Sequence, residues 1–301
     1  MKKSFNNKIP ITVLLAVKNE AINLPNCLQA LDVVERIIVI DSQSTDTTCN
    51  IAKKYNAEVI QFNYSGGYPK KRQWALENLN IQTQWTLLLD ADEIIPNELW
   101  NEISTAISTS KSVDAYMIKK KFHFLGRDII MGGFSFYAVI LFRTTKARFE
   151  KLLNNFGTDM DMEIHERVIV DGNISKLTTP LIHKDFKNLS KYIERHNSYS
   201  SWEANLRYKF FKTSEYGEDV IKSRLFGNSQ ERKRWLKILI MKLPFEHWFW
   251  FFYHYIICLG FINGRRGLIA CQIRANYIQQ VNAKIFEIKS QINLNKKNIN
   301  I

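Results

Sequence analysis

The chain has 301 residues, 46% hydrophobic and 24% charged, which is the balance of a globular protein and excludes a wholly disordered or low-complexity polypeptide. That length suits one large α/β domain or one catalytic domain with an extension, and either buries a substantial core. The formal charge is +13, and residues 184–301, with 21 Lys/Arg against 9 Asp/Glu, carry +12 of it; that part is expected to meet a polyanion, either nucleic acid or the anionic face of a membrane.

The start, MKKSFNNKIP, is basic, but the apolar run ITVLLAV lasts seven residues before Lys18, Asn19 and Glu20. It reads as a first buried strand rather than a signal peptide. Further runs of strand length follow at residues 36–40, 57–61 and 85–89. Between them lie two amphipathic helices, one from Glu20 carrying Ile22, Leu24, Leu28 and Leu31, the other from about Asp46 carrying Ile51, Ala52 and Tyr55. Such alternation predicts a mostly parallel sheet covered on both faces, with ligands at the carboxyl ends of the strands. Past Pro96 the pattern predicts strands near 115–121, 138–143 and 168–170, then a helix over 189–212. The catalytic domain is drawn as residues 1–210 and a basic, aromatic helical extension as 211–301, with the Asn/Lys-rich end from about Asn293 disordered. Cys27, Cys49, Cys258 and Cys271 match no zinc or redox spacing, so they are expected as reduced thiols, in keeping with a protein on the cytosolic side.

The strand ends carry the chemistry. In LLLDADE three leucines run into Asp90, Ala91, Asp92 and Glu93. Carboxylates one residue apart at a strand end can share Mg²⁺ or Mn²⁺ whose shell is completed by substrate phosphates; the alternative is a solvated acidic turn before the next helix. In VIDSQSTDTT, Asp41 is placed to accept hydrogen bonds from a nucleoside, while Asp46 serves either the site or the cap of its helix. Lys18, Asn19 and Glu20 stand where a nucleotide could cross the sheet edge, or as ordinary exposed polar groups.

The segments ITVLLAVKNEAINLPNCL, VIDSQSTDTT, YPKKRQWAL and WTLLLDADE, in that order and spacing, resemble the nucleotide-binding half of family 2 glycosyltransferases. DMEIHERVIVDG and GFINGRRGLIACQIRANYIQ extend the resemblance toward the lipopolysaccharide-core and exopolysaccharide β-glucosyltransferase branch, over about residues 9–285. The resemblance implies a three-layer, Rossmann-like GT-A domain and transfer with inversion. It also implies contact of Asp41 with uracil or ribose and of Asp90 and Asp92 with ribose, diphosphate and metal. Lys71 and Arg72 match basic or amide positions near the donor, where a guanidinium fork and a compact ammonium suit a diphosphate; as a plain helix start they need no function. A direct displacement needs a general base facing the acceptor hydroxyl, and Asp161, Glu163, His165 and Glu166 are the candidates. By resemblance Glu166 is the base, with His165 supporting it or touching the metal. The chain departs from the family at GGFSFYAVILFR, residues 132–143, where Ala138 and Ile140 supply no charge, so the sugar is not transferable by analogy.

Residues 235–262 are crowded with Trp, Phe, Tyr and Ile, and are flanked by Arg232, Lys233, Arg234, Arg265 and Arg266. Glu246, His247 and His254 interrupt the apolar run, so lying in a membrane interface is favoured over crossing, with a buried helical hairpin as the alternative. Aromatics this dense in an open stacking groove would expose a large apolar patch, so no nucleic acid is expected. The reading is therefore an inverting glycosyltransferase using Mg²⁺ or Mn²⁺ and a nucleotide-sugar donor, a UDP-sugar favoured. Its acceptor is a lipid-linked or envelope glycan, and its place is cytoplasmic, peripheral on the inner face of the cell membrane, held through residues 232–266. Two alternatives stay open: an inactive membrane-peripheral scaffold of the same fold, and a nucleotidyltransferase, against which stands the lack of a Gly-rich, Lys-containing phosphate loop.

Overall fold

The computed structural model describes residues 8–152, 161, 163, 166–183 and 188–299. In chain order the elements are β1 (Ile9–Val17), α1 (Leu24–Gln29), β2 (Val34–Asp41), α2 (Thr48–Lys54), β3 (Glu58–Gln61), α3 (Lys71–Asn78), β4 (Trp85–Asp90), β5 (Glu93–Ile94) and α4 (Asn97–Thr109). Then come β6 (Ala115–Lys120), β7 (Phe122–Phe124), β8 (Arg127–Ile129), β9 (Phe136–Arg143), β10 (Ala147–Phe149), β11 (Lys151–Leu152), β12 (Val168–Val170), β13 (Ile174–Lys176) and β14 (Ile182–His183). The remainder is α5 (Leu189–Thr213), β15 (Gly217–Asp219), α6 (Ser229–Ile240), α7 (Glu246–Phe252), a π-helical turn (Tyr253–Ile257), a 3₁₀ turn (Gly260–Asn263) and α8 (Gly264–Ile299).

By internal packing the chain divides into two compact units: residues 1–122, 135–149 and 159–185 form the first, and 123–134, 150–158 and 186–301 the second. The functional division at residue 210 remains a proposal beside this one.

The first unit holds a seven-stranded sheet of order β13-β6-β9-β4-β1-β2-β3. All its pairings are parallel except those of β9, which runs antiparallel to both β4 and β6. On β1 both alternating sets, Ile11, Val13 and Leu15 and Thr12, Leu14 and Ala16, are buried, so both faces of the sheet centre are covered. This is the expected α/β domain followed by a helical C-terminal region. The first helix is shorter than its apolar spacing suggested: α1 starts at Leu24, beside Pro25, and Ile22 lies exposed in the preceding turn.

In the second unit α5 packs on α8 around Ala204, Tyr277, Ile278 and Val281. The carboxylates of Glu203 and Glu246 grip the buried Arg207, at 2.8 and 2.7 Å. The Asn/Lys-rich end, expected to lack structure, continues α8 to Ile299.

Candidate active site

Register places the acids. In the parallel core Val17 of β1 faces Asp41 of β2, and Ala16 faces Asp90 of β4. The two aspartates therefore flank the end of β1 at the same edge, two strand spacings or about 10 Å apart.

Asp41 is buried, and its carboxylate accepts from the Ser44 amide at 2.9 Å, the Ser44 hydroxyl, Cys49 Sγ at 3.3 Å and Gln61 Nε2 at 3.0 Å. Burial pushes its pKa upward, but these hydrogen bonds outweigh it and hold the group below the ordinary aspartate value. The loops after β1 and β2 are clasped together. Asn19, at φ 55°, accepts the Thr45 amide at 2.8 Å, and its own amide donates to Ser44 Oγ at 2.8 Å; a short amide side chain tolerates that left-handed backbone. The Glu20 amide donates to Thr48 Oγ1 at 2.9 Å, and Lys18 is exposed beside them. Asp46 accepts the amides of Thr48 at 2.9 Å and Ala21 at 3.2 Å, tying the loop after β1 to the start of α2, whose N-cap residue is Thr47.

Asp90 stands between two cations. Its Oδ1 pairs with the Arg72 guanidinium, and its Oδ2 lies 3.6 Å from Lys120 Nζ. Burial pushes the carboxyl up, yet Arg72, then Lys120 and His183, outweigh burial and bring it down to about 2. Arg72 and Lys120 are both raised, their own burial being overcome chiefly by Asp90 and by Glu93 respectively. Glu93, fully buried, accepts the Asp90 amide at 3.0 Å and meets Lys120 Nζ at 2.5 Å. The third acid of the run is thus a fastener that closes the turn. Ala91 is buried, and Asp92 Oδ1 lies 3.7 Å from His183 Nε2 because β14 pairs antiparallel with β5.

The α3 start arrays the remaining acids. Lys71 Nζ donates to the Val17 carbonyl at 2.9 Å and pairs with Asp161 at 3.1 Å; burial depresses its pKa, with Asp161 only partly compensating. Asp161 also accepts the Ser42 hydroxyl. Glu163 accepts the amides of Arg72 at 3.2 Å and Gln73 at 3.0 Å, so it caps the helix, and burial raises its pKa. Glu166 is buried against Lys70 at 2.7 Å. His165 lies outside the described residues.

The edge so assembled has a hydrogen-bonding acid on one side of β1 and a cation-flanked acid on the other. Residues 12–158 match the family described as glycosyl transferase family 2. The chain carries a family 2 glycosyltransferase domain. Over 204 residues it is 24% identical to the lipopolysaccharide core biosynthesis glycosyltransferase LpsC of Rhizobium meliloti, covering 66% of this chain and 72% of that protein. An uncharacterized glycosyltransferase of Rickettsia felis is 25% identical over 273 residues, 88% of this chain and 85% of its own. The solved glucosyl-3-phosphoglycerate synthase of Mycobacterium tuberculosis, in complex with Mn²⁺, UDP and glucosyl-3-phosphoglycerate, is 19% identical over 38% of this chain and 45% of that one. Its TM-score is 0.32, at which the likeness decides nothing about this chain.

Sequence reasoning about the glycosyltransferase domain missed Lys120 and His183. Lys120 ends a strand on the far side of the antiparallel β9, and His183 arrives through a two-residue strand, so neither carried a local signal.

Proposed function

We propose that the chain is a metal-dependent, inverting hexosyltransferase that moves a sugar from a nucleotide-sugar, preferably a UDP-sugar, to a lipid-linked or envelope glycan. In this reading it works on the cytoplasmic inner face of the cell membrane, in polysaccharide or lipopolysaccharide-core synthesis. The observation that carries the proposal is the pair of cations on Asp90 at the same sheet edge as the hydrogen-bonded Asp41. A diphosphate approaching that edge meets Arg72 and Lys120, which can exchange a carboxylate partner for phosphate oxygens, while Asp41 receives the nucleoside.

The donor set fits a divalent cation that shares its shell with substrate. Among the described residues no three His, Cys, Asp or Glu side chains converge, but Asp92 and His183 offer an oxygen and a nitrogen 3.7 Å apart, and Mg²⁺ or Mn²⁺ takes its other ligands from phosphate and water. Asp90, already flanked by cations, would orient Arg72 and Lys120. Bound there, the cation would neutralise the departing diphosphate. Glu166 takes the acceptor proton as the acceptor oxygen attacks the anomeric carbon and the bond to diphosphate breaks. Lys70 Nζ lies 2.7 Å from its Oε1 and fixes the position of the carboxylate.

The test is nucleoside diphosphate release from UDP-, GDP- and ADP-sugars with Mg²⁺ or Mn²⁺ and membrane lipid extract. Lipid-dependent release of nucleoside diphosphate, lost in Asp92→Ala and Glu166→Gln, is the expected result. Release of pyrophosphate would point to a nucleotidyltransferase, and tight donor binding without turnover to an inactive scaffold.

A further inference from the structure

Helix α7 is built inside out. Its polar residue Glu246 is 2% exposed and accepts from Arg207 at 2.7 Å and Trp250 Nε1 at 3.1 Å, while Trp248 is 54%, Phe252 50% and Ile256 50% exposed. Trp248 and Phe252 lie four residues apart on α7, and Ile256 follows in the π-helical turn Tyr253–Ile257 that continues it, so the three exposed side chains form an apolar run on the outer side. One turn further on, His254 is buried, its ring nitrogen 2.6 Å from the Gly132 carbonyl. A helix that turns its carboxylate inward and Trp248 and Phe252 outward has the polarity of a lipid-facing element, not of a water-facing one.

The apolar stripe continues around an elbow. The segments Glu246–Ile257 and Gly260–Leu294 meet at 73°, and Ile257, Leu259, Phe261 and Ile262 are exposed at the bend. Exposed Ile130 and Met131 join them, because Asn263 accepts the Ile130 amide at 3.0 Å and Arg266 donates to the Leu125 carbonyl at 3.0 Å. Exposed Lys242 and Arg265 bracket the stripe in sequence, and Arg232 and Lys233 are exposed on α6.

We infer that this elbow is a preformed wedge that enters one leaflet of an anionic bilayer without crossing it. Length decides the depth: residues 246–257 rise about 18 Å as a helix, against a hydrocarbon core of about 30 Å. Among the described residues no single helix is long and apolar enough to span; the two segments reach that length and hydropathy only when taken together across the 73° bend, and past the bend α8 carries Arg265, Arg266 and Arg274. Charge decides the partner. A second copy docked on this face would bring another strongly basic region against the first, whereas acidic headgroups complement Lys242 and Arg265. The wedge needs no folding on contact, since Arg207, Trp250 and His254 already fix its inner face. This inference deepens the proposal of a membrane-borne acceptor and rests on it for its biological purpose.

The experiment is cosedimentation of the full chain with phosphatidylcholine vesicles, with and without phosphatidylglycerol, for wild type and for the triple variant Phe252→Ser, Ile256→Ser, Ile257→Ser. All three side chains are exposed, so the fold should survive, which circular dichroism checks. Wild type should bind more tightly when phosphatidylglycerol is present, and the variant should lose about tenfold or more in affinity. Lipids brominated within one leaflet should quench the Trp248-dependent emission more than lipids brominated at the bilayer centre. Equal vesicle binding by the two proteins, or a wild-type dimer that ignores vesicles and that the variant breaks, overturns the wedge. Nucleoside diphosphate release from the sugar-nucleotide panel, measured with membrane lipid extract, separates the two ideas: if wild type releases none while vesicle binding still depends on the stripe, the wedge stands and the transferase reading falls.

Discussion

At Asp90 the ion pairs do more than neutralise charge, since they hold two cations at a strand end before any donor arrives. Lys120 is the residue whose removal reports on this most cleanly. Lys120→Met leaves Glu93 fully buried without its ammonium, a loss of about 3–5 kcal/mol for one broken partner of a buried pair. The double change Lys120→Met with Glu93→Gln removes the stranded charge and should recover much of that stability, yet UDP affinity should stay reduced, because one cation is still missing. Urea unfolding and calorimetric titration with UDP read the two effects separately. If stability and affinity return together, Lys120 serves the fold alone. Asp41 gives a pH signature. Its folded pKa is depressed, so its contribution to stability is full above the ordinary aspartate range, near pH 4, and is lost as pH falls through the folded value. Asp41→Asn should therefore be less stable at neutral pH, by about 1–3 kcal/mol for a buried, over-coordinated acceptor, and the gap to wild type should narrow as pH drops below 4. Denaturant midpoints across that range would show it; a gap constant with pH would mean the charge at Asp41 is irrelevant to folding.

Helix α3 shows how an element can be legible while its setting is not. The KKRQWAL run marked Lys71 and Arg72 as charged groups at a helix start, and both lie there, but their partners Asp161 and Glu163 come from residues ninety positions later in the chain. Of the four acids and bases considered near 161–166, the structure engages Glu163 with helix amides, a role that sequence spacing alone could not distinguish from catalysis. Glu163→Ala should cost about 1 kcal/mol as a lost cap and lower donor affinity by loosening Arg72, while Glu163→Gln, which keeps an acceptor, should cost less of each. The central parallel strands were readable because their middles are buried on both faces and so are mostly apolar: residues 11–17, 36–40 and 85–89 fall within β1, β2 and β4, with only Arg36 charged among them. In the second unit the same logic reaches the buried charge at Arg207, gripped by Glu203 and Glu246 and surrounded by Tyr277, whose hydroxyl donates to Glu203 at 2.6 Å. A helical period shows where such a group lies along α5 but not that it is buried with two carboxylates. Arg207→Ala should lower stability by about 3–5 kcal/mol, more than any single apolar truncation on the exposed stripe of α7, as measured by denaturant unfolding.

Across the whole molecule, charge and chemistry occupy different stretches of sequence. The acids that hold the sheet edge lie before residue 94 and between 161 and 166, whereas +12 of the net charge lies after residue 183. That separation was visible in composition alone, because net charge sums over a segment and needs no contact map. The fine placement of Lys120 and His183 was invisible for the opposite reason, since each reaches Asp90 or Asp92 only after strands have crossed and paired. Hydrogen exchange can test the separation directly. A nucleotide bound at about a hundred times its Kd stabilises the bound state by about 2.7 kcal/mol, which slows exchange of the amides whose opening exposes the site by about a hundredfold. With UDP and Mn²⁺ the slowed amides should be those of Ser44, Arg72, Gln73 and Asp90, whose acceptors are Asp41, Glu163 and Glu93, and residues 245–262 should be unchanged. With anionic vesicles alone the pattern should reverse, protection falling on 245–262 and leaving the Asp41 and Asp90 turns as they were. Protection of both regions by UDP alone would mean that nucleotide and bilayer act on one cooperative element, and the assignment of donor chemistry and surface attachment to separate stretches would have to be abandoned.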